Sequence, residues 1–448
     1  MSKLKTNTIR HVDGSNDNIT LDSSQNVTVE GNATVDGTST LTGNVTCSGQ
    51  LKANALRHTG ASSDAIELAS DGTATAKITN NLSNRNLIIN GAMQVAQRGT
   101  TSNFGGYRTV DRFTASSGGD DNSCTFAQHA LTSSDTGPWA KGFRKSFHIT
   151  NGDQTSGAGG GDFVEIYQHI EDQNISNSGW DYTSSSSKLT ISFWVKSSVS
   201  DKFYGFLYTN QAGQGDSKMY SYAIDNGSGG SLAANTWTKI THTIPGDSSL
   251  TFNNDNTSGL SVGIIVFDGV DMTTPGHTLN TWTAWDSADK IPDISNTWWN
   301  TNDATFEITG VQLEVGDVAT DFEHRSYGDE LARCQRYYYL HADGSTADSA
   351  NGAPVASTSN YSGTLAMGVV HFPVTMRSFP TIDAVTGTSY FRAYADSASD
   401  PFDTVSLQQS SPQAYIVQFS GNLSLTQGQG SWVQTNNAAA KIAFSAEL

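Results

Sequence analysis

Charged residues are scarce in this sequence, and basic residues are the scarcer kind. Only 15% of its 448 residues are charged, and 25 lysines and arginines stand against 43 aspartates and glutamates, which gives a net charge of −18 at pH 7. Binding to a phosphate backbone needs clustered lysine and arginine side chains. The composition therefore argues against nucleic acid as a partner.

Cysteine and long apolar segments are also scarce. The three cysteines, Cys47, Cys124 and Cys334, lie far apart, so we expect neither a disulfide framework nor a Cys-x-x-Cys metal site. The ten histidines are scattered without a His-Glu-x-x-His pair, and we expect no metal centre. No run of about 18 apolar residues occurs, and the first residues lack the apolar core of a secretory signal, so we expect neither membrane insertion nor an export signal.

Residues that favour strands and turns dominate instead. The chain has 43 glycines and is rich in serine, threonine, asparagine and aspartate, a composition typical of short strands joined by many turns. A length of 448 residues suggests about three domains at roughly 150 residues each. We predict an all-β protein with a repeat-containing stalk over residues 1–84, a jelly-roll sandwich over 85–339 and a smaller C-terminal sandwich over 340–448.

The first region contains a repeat. Residues 4–26 recur about 47 positions later, so that Leu4-Lys-x-Asn-x-Ile-Arg-His matches Leu51-Lys-x-Asn-x-Leu-Arg-His. Between the two copies, glycines fall six residues apart. Every odd position from Val27 to Leu51 is apolar or small, while the even positions are polar. Such a period of two indicates an extended chain with one buried face.

One chain has too few of these six-residue units to close a core by itself, because a solenoid needs at least about three coils. We therefore predict that three chains wind together into a trimeric β-stalk. The residues assigned to the trimer axis are Val35, Leu41, Val45 and Cys47. A flexible linker rich in glycine and threonine is the alternative.

The middle region alternates in the manner of antiparallel strands. In Lys188–Lys196 the apolar residues occupy every second position, and Asn-Gly and Pro-Gly turn signals separate such segments, as in a sandwich or jelly roll. In Phe306–Val315 the apolar parity changes at Gly310, which predicts a β-bulge there. We predict that Asp329 caps a short helix over Glu330–Cys334. The predicted strands are Leu87–Ile89, Lys145–Ile149, Phe163–Ile170, Lys188–Lys196, Phe203–Tyr208, Thr236–Ile244, Ser261–Phe267, Thr305–Leu313, Thr364–Pro373, Ala414–Phe419 and Lys441–Leu448.

No catalytic residues are predicted. Gly259-Leu-Ser261-Val-Gly263 matches the Gly-x-Ser-x-Gly motif of hydrolases. That motif needs a strand before the serine and a helix after it, whereas here a polar loop precedes the serine and an apolar segment follows. No spacing of aspartate and glutamate singles out the carboxylate pair, about 5 to 10 Å apart, that a glycan-cleaving enzyme needs.

Tryptophans in a polar segment form a candidate binding site. Sugars present apolar faces that stack on aromatic rings, and carboxylates and amides accept hydrogen bonds from their hydroxyl groups. Residues 275–303 interleave both types, and the predicted glycan-binding residues are Trp282, Trp285, Trp298, Trp299, Asp286 and Asp289. Packing of these tryptophans onto the sandwich is the alternative. A second aromatic cluster, for which we expect packing, consists of Tyr204, Tyr208, Tyr220 and Tyr222.

Two blocks that bracket the middle region resemble bacteriophage tail-fibre proteins. The first block is Asn86-Leu-Ile-Ile-Asn-Gly-Ala-Met, followed by Gln97-Arg-Gly and Tyr107-x-x-x-Asp-Arg-Phe. The second block runs from Ile308-Thr-Gly-Val-Gln-Leu-Glu-Val-Gly through Ala319-Thr-x-Phe-Glu-His-Arg to Glu330-Leu-x-x-Cys-Gln-Arg-Tyr-Tyr. In the C-terminal region, Phe372-Pro-x-x-Met-Arg and Phe444-Ser-Ala-Glu-Leu are similar to segments common at tail-fibre C termini.

This resemblance implies a carbohydrate-binding-module-like jelly roll in a virion tail fibre or receptor-binding protein. Such proteins are commonly homotrimers that bind host cell-surface polysaccharide or lipopolysaccharide, and the N-terminal region would then attach to phage tail proteins. Sandwiches of this class often hold a structural calcium, for which Asp120 and Asp121 are candidate ligands. We expect a non-enzymatic fibre located in the virion. A tail-associated polysaccharide depolymerase and a purely structural tail component are the alternatives.

Overall fold

The structure, a computed structural model, describes residues 84–210, 217–295, 297–347 and 352–448, together with six short strands nearer the N terminus. The chain divides into two compact units, Met1–Lys77 and Ile78–Leu448. The residues assigned to the trimer axis, Val35, Leu41, Val45 and Cys47, lie outside the described residues. Within the described part, no helix is both long enough and apolar enough to cross a membrane.

The first unit contains two antiparallel three-stranded sheets. Their strands are β1 (Thr8–Ile9), β2 (Ile19–Leu21) and β3 (Val27–Val29), then β4 (Ala55–Leu56), β5 (Ile66–Leu68) and β6 (Ala74–Ala76). The second set follows the first by about 47 residues, which is the spacing of the sequence repeat. The pairing recurs as well, since Ile9 pairs with Ile19 and Leu56 pairs with Ile66. Each copy of the repeat therefore contains one small β-meander.

Two six-stranded antiparallel sheets form a sandwich in the second unit. Their strands are β7 (Thr101–Ser102), β8 (Thr114–Gly118), β9 (Thr125–Ala130), β10 (Lys145–Thr150), β11 (Phe163–Glu171), β12 (Lys188–Ser197), β13 (Phe203–Thr209), β14 (Lys218–Ile224), β15 (Thr238–Pro245), β16 (Ser258–Asp268), β17 (Trp282–Ala284) and β18 (Thr305–Val315). Sheet I has the order β15-β12-β18-β10-β9-β7, and sheet II has the order β17-β14-β13-β16-β11-β8. A 3-10 turn (Trp139–Lys141) precedes β10, and helix α1 (Asp172–Ser176) follows β11.

The facing sides of sheets I and II enclose the main hydrophobic core. Phe147 and Phe193 from sheet I and Ile166 and Ile264 from sheet II all lie in this core with at most 5% exposure. Burial of this apolar surface is the main force that holds the two sheets together. The outer faces of the two sheets are left for other contacts.

Helix α2 (Tyr327–Gln335) connects the sandwich to a third β region. Its strands are β19 (Tyr338–Asp343), β20 (Pro354–Ser362), β21 (Leu365–His371), β22 (Thr381–Val385), β23 (Phe391–Ala395), β24 (Ala398–Phe402), β25 (Thr404–Ser410), β26 (Ala414–Ser420), β27 (Gly430–Thr435) and β28 (Lys441–Ser445), with a 3-10 turn at Gly344–Thr346. Sheet III has seven strands in the order β24-β23-β27-β20-β21-β26-β25, and sheet IV has the order β19-β28-β22. A second core, which includes Phe419 and Phe444, lies between them.

The all-β prediction is confirmed, and most predicted strands are present with shifted ends. The strand predicted at Leu87–Ile89 is wrong. The Ile88 N–H donates to the side-chain oxygen of Asn86, and Asn90 has a φ of 61°, so the segment turns instead of extending. The predicted cap of the short helix is also wrong, because the side chain of Ser326 caps α2 by accepting from the backbone N–H of Asp329.

The bulge predicted at Gly310 is confirmed. The pairing of β12 with β18 shifts between Ser192 and Trp194, opposite Gly310, which has a φ of 65°. The shift brings Ile308 and Val311, which have opposite parity in the sequence, into the same core. A Cβ atom at Gly310 would lie 2.6 Å from the ring of Phe143, so the position also lacks room for a side chain.

Residues of the signature blocks meet where the sandwich joins the C-terminal region. The guanidinium of Arg112 is buried, forms an ion pair with Glu447 and lies 3.5 Å from the ring centroid of Tyr337. The Asn90 N–H donates to the Glu330 carboxylate at 2.6 Å. Each charge of a buried ion pair loses its hydration and is compensated by the other charge, so removing either one leaves an uncompensated buried charge. These signature residues therefore maintain the fold, whatever the protein binds.

Candidate functional site

A groove of about 350 Å³ lies on the outer face of sheet II. Residues two apart on a strand share a face, and β11 presents Glu165, Tyr167 and His169 to the groove in this way. The neighbouring strand β13 contributes Phe206 and Tyr208. Aromatic and polar side chains thus alternate with core residues along the same strands.

Gly263, in the central strand β16, makes room for the floor of the groove. It pairs with Tyr167 on one side and with Phe206 on the other. A Cβ atom at this position would lie 2.5 Å from the ring of Phe206 and 2.6 Å from the Cβ of Tyr167. Because no side chain stands between them, these two rings approach to 6.4 Å between centroids. Ile265, fully buried, continues the floor along the same strand.

Trp285 forms an aromatic wall of the groove. It lies in the long segment between β16 and β18, where its backbone N–H donates to Ser217 at 2.9 Å. Its ring centroid lies 5.7 Å from that of Tyr208, with the two planes tilted by 58°. Both side chains are half-buried, so part of each ring remains accessible. Accessible aromatic faces at this spacing suit stacking against the apolar faces of a sugar chain.

Polar groups lie at one end of the groove. Asn210 Nδ2 donates to Ser261 Oγ at 2.7 Å, and His169 Nδ1 lies 2.7 Å from the same oxygen. Burial, assisted by the charge of nearby Arg112, lowers the pKa of His169 to about 4. The imidazole is therefore neutral at pH 7 and can exchange hydrogen bonds with hydroxyl groups of a ligand.

A charged cluster fixes the opposite end. Lys290 Nζ lies 2.5 Å from a carboxylate oxygen of Glu165 and 2.6 Å from one of Asp268. Burial and the charge of Glu165 raise the pKa of Asp268 well above its usual range. Since Glu165 belongs to β11 and Lys290 to the segment that carries Trp285, the cluster holds this segment against sheet II.

Three of the four predicted tryptophans are core residues. Trp298 and Trp299 have 0% exposure, and Trp282 has 9%. Trp299 stacks on Phe267 with ring centroids 4.8 Å apart, and the indole N–H of Trp282 donates to the carbonyl of Pro245 at 2.8 Å. These rings cannot present a face to a ligand. The packing alternative thus holds for these three, and of the four tryptophans only Trp285 lines the groove.

The predicted aspartates support the loop and do not line the groove. Asp286 accepts a hydrogen bond from the backbone N–H of Ala288, and Asp289 lies 2.8 Å from His277 Nδ1. A carboxylate that is engaged within its own loop is less available to a ligand. Of the six residues predicted to bind glycan, the structure places only Trp285 at the groove.

The tyrosine cluster divides between the two faces of sheet II. Tyr220 and Tyr222 lie in the main core, as the packing expectation stated, and Tyr204 packs on the outer face with 6% exposure. Tyr208, in contrast, lines the groove. The missed signal was the parity of β11, where Tyr167 and the residues two away from it point to the side opposite the apolar core positions.

The Gly-x-Ser-x-Gly motif lies inside a strand. Ser261 belongs to β16 (Ser258–Asp268), so it lacks the strained turn that exposes a nucleophilic serine. His169 contacts the hydroxyl, but among the described residues no carboxylate hydrogen-bonds the second nitrogen of this imidazole. The arrangement contributes polar groups to the groove and does not form a catalytic triad.

The candidate calcium ligands do not fit a calcium ion. One oxygen of Asp121 accepts hydrogen bonds from the backbone and hydroxyl groups of Ser156 and from Thr155. These bonds also lower the pKa of Asp121. Asp120 accepts from the backbone N–H of Cys124. Donors thus engage one oxygen of each carboxylate, which leaves fewer free oxygen ligands than the six to eight that calcium takes.

Another cavity with aromatic walls, of about 300 Å³, lies on the outer face of sheet I. Its rings are engaged with one another: Phe143 contacts Phe322 edge-on at 4.9 Å between centroids, and Phe322 contacts His324 at the same distance. A closed cluster of this kind leaves little ring face for a ligand. The groove on sheet II is therefore the candidate binding site.

Comparison with solved structures finds likeness, at low identity, to a phage tailspike domain and to carbohydrate-binding modules. One is the enzymatically active domain of tailspike protein 4 from bacteriophage CBA120 (10% identity, 51% of this chain and 21% of that chain, TM-score 0.27). A CBM22-1 xylan-binding domain from Paenibacillus barcinonensis has 9% identity over 55% of this chain and 100% of that chain, with a TM-score of 0.25. A family 11 carbohydrate-binding module from Clostridium thermocellum has 11% identity over 50% of this chain and 98% of that chain, with a TM-score of 0.24.

The chain thus spans only 21% of the length of the tailspike chain. No protein-family model matches the sequence, and no curated protein matches it.

Proposed function

We propose that this protein is a non-enzymatic, trimeric virion tail fibre that attaches a phage to its host by binding cell-surface glycan in the groove of sheet II. The observation that carries the proposal is the pair formed by Tyr208 and Trp285, two half-buried rings at 5.7 Å, beside the hydrogen-bonding groups of His169 and Asn210. Aromatic faces next to neutral polar groups complement the alternating apolar and hydroxyl surfaces of a sugar.

The shape of the groove supports a chain-like ligand. It runs along the strands, from the polar end at Asn210 to the charged end at Lys290. A polysaccharide can lie along such a groove, with one sugar on the aromatic pair and its neighbours against the polar ends. We expect capsular polysaccharide or the glycan of lipopolysaccharide as the ligand class.

Binding without cleavage is supported by the contacts and the burial of the nearest carboxylates. Glu165 and Asp268 both contact the ammonium group of Lys290, and the Asp268 side chain has 0% exposure. Glycoside hydrolysis needs two accessible carboxyl groups on either side of the scissile bond. Among the described residues that line the groove, Glu165 is the only one with a carboxyl group, so the second carboxyl group is missing.

The fibre and trimer parts of the proposal are supported by the sequence. The resemblance to tail-fibre proteins covers both signature blocks, and the alternation from Val27 to Leu51 leaves one face for partner chains to cover. Measuring the mass of the full chain in solution tests this part. Leu41→Asp should dissociate a trimer while Thr40→Asp should not, because only the first puts charge on the covered face. A monomeric wild-type chain would contradict the stalk.

Glycan binding is tested by an array of bacterial capsular and lipopolysaccharide oligosaccharides probed with the full chain. We expect a small set of related glycans to bind and to remain intact, as judged by an assay for new reducing ends. Sustained release of reducing ends would favour the depolymerase alternative. Absence of binding to any glycan and to host cells would favour a purely structural component.

A further inference from the structure

Two histidines and a glutamate come together on the outer face of sheet I, remote in sequence but on neighbouring strands. His129 lies on β9, His148 on β10 and Glu307 on β18. His129 Nδ1 is 3.2 Å from one carboxylate oxygen of Glu307, and His148 Nδ1 is 3.5 Å from the other. One nitrogen or oxygen from each of the three side chains lies within 4.8 Å of those of the other two.

The imidazole of His148 is oriented for a further contact. Its Nε2 lies 3.0 Å from the hydroxyl of Thr150, which fixes the orientation of the ring. Its Nδ1 is buried and has no hydrogen-bond partner among the described residues. A buried ring nitrogen without a partner is costly, and here it is directed toward the carboxylate of Glu307, 3.5 Å away.

We propose that His129, His148 and Glu307 bind a divalent transition-metal ion of the zinc class. Neutral imidazole nitrogen and carboxylate oxygen are ligands that zinc prefers, and three protein ligands with an open position are common. Two donors on one tetrahedral zinc ion lie about 3.3 Å apart, close to the distances that each histidine already makes with Glu307. His129 is 52% exposed, so its ring can turn toward the ion.

A neighbouring hydroxyl group fixes the orientation of the Glu307 carboxylate. Ser146 Oγ donates to Glu307 at 2.7 Å, which fixes the carboxylate as hydrogen bonds commonly do for metal ligands.

Lys196 competes with the ion for this carboxylate. Its ammonium group lies 2.9 Å from Glu307 and 3.1 Å from Asp135. It can therefore withdraw to Asp135 when a cation takes the carboxylate, without losing all of its ion pairs. The nearby positive charge weakens cation binding by Coulomb repulsion, and Lys196→Met should bind the ion more tightly than the wild-type chain.

No compact sequence motif joins these three residues, which is why no metal centre was expected from the sequence. His129 and His148 are brought together by the β9-β10 pairing, and His148 pairs with Glu307 across β10 and β18. The site therefore depends on strand register and has no local sequence signature.

Titration of the full chain with zinc chloride in a calorimeter tests the proposal. The wild-type chain should show one saturable site per chain. His129→Ala and His148→Gln should each weaken zinc binding by more than roughly 100-fold, and Ser146→Ala by roughly 10-fold. With cobalt in place of zinc, the wild-type chain should show the visible absorption of a tetrahedral site, and His129→Ala should not.

His371→Ala is the matched control, because His371 is exposed on sheet III. Its zinc affinity should equal that of the wild-type chain. Since His129 is half exposed, His129→Ala should keep the fold, which circular dichroism checks. Absence of a saturable site, or equal affinities for His129→Ala and His371→Ala, would overturn the proposal, as would weaker binding by Lys196→Met.

Discussion

Removing the aromatic wall of the groove should abolish most glycan binding. Trp285 contacts Tyr208 at 5.7 Å between ring centroids and has no partner ring on its accessible side among the described residues. A sugar that covers one indole face removes on the order of 80 Å² of apolar surface from water. At about 25 cal/mol per Å², this contributes about 2 kcal/mol, or roughly a 30-fold change in Kd. We expect this loss in Trp285→Ala.

The assay is calorimetry with the tightest oligosaccharide from the array. Trp432→Ala is the matched control, because Trp432 is 48% exposed and also contacts a tyrosine, Tyr394, but lies on sheet III. It should bind as the wild-type chain does. Urea unfolding of both variants checks that the fold is retained.

Two results would refute this reasoning. If Trp285→Ala bound within about twofold of the wild-type chain, the aromatic pair would not carry the affinity. If Trp432→Ala caused the larger loss, the binding surface would lie on sheet III and the groove would have another role.

Three further predictions concern stability. Gly310→Ala should lower the free energy of unfolding by about 1–3 kcal/mol through overpacking. A Cβ atom at Gly161 would meet no atom within 4 Å, so Gly161→Ala should leave the free energy of unfolding unchanged, and urea unfolding compares the two variants. Glu447→Gln should cost about 3–5 kcal/mol by leaving the buried guanidinium of Arg112 uncompensated. The pKa of His169 is about 4 in the folded chain and about 6.5 in the unfolded chain. The folded chain therefore favours the neutral imidazole, and about 3 kcal/mol of the free energy of unfolding is lost as the pH falls from 6.5 to 4. His169→Gln should flatten this pH dependence.

The controls for these predictions are available in the same chain. Asp321→Asn removes one partner of the exposed pair Lys141–Asp321, whose side chains are 63% and 95% accessible, and should cost at most about 1 kcal/mol. Equal losses for Glu447→Gln and Asp321→Asn would contradict the role of the buried pair. Parallel stability curves for the wild-type chain and His169→Gln between pH 6.5 and 4 would contradict the role of the imidazole.

Local patterns predicted much of the fold. Alternation over Lys188–Lys196 predicted the central strand β12, and the parity change at Gly310 predicted a bulge that the pairing register confirms. These signals succeed because a strand with one buried face must alternate. The strand prediction at Leu87–Ile89 failed because Ile88 is buried in an irregular segment, where its N–H donates to the side chain of Asn86 and not to a neighbouring strand.

The site was less predictable, because it depends on which strands become neighbours. Tryptophans in a polar segment suggested exposure, but Trp298 and Trp299 fold back into the core. Tyr167 and Tyr208 belong to different strands and line the same groove only because β16 pairs with both β11 and β13. Single-strand parity shows which residues face outward and does not show which outward faces form a groove.

The most direct test of the central claim is a crystal structure of the chain with a bound oligosaccharide selected on the array. The account predicts a sugar ring stacked on Trp285 and Tyr208, with hydroxyl groups in hydrogen-bond contact with His169 or Asn210. Sugar bound elsewhere, with these four side chains left in contact with solvent alone, would contradict it.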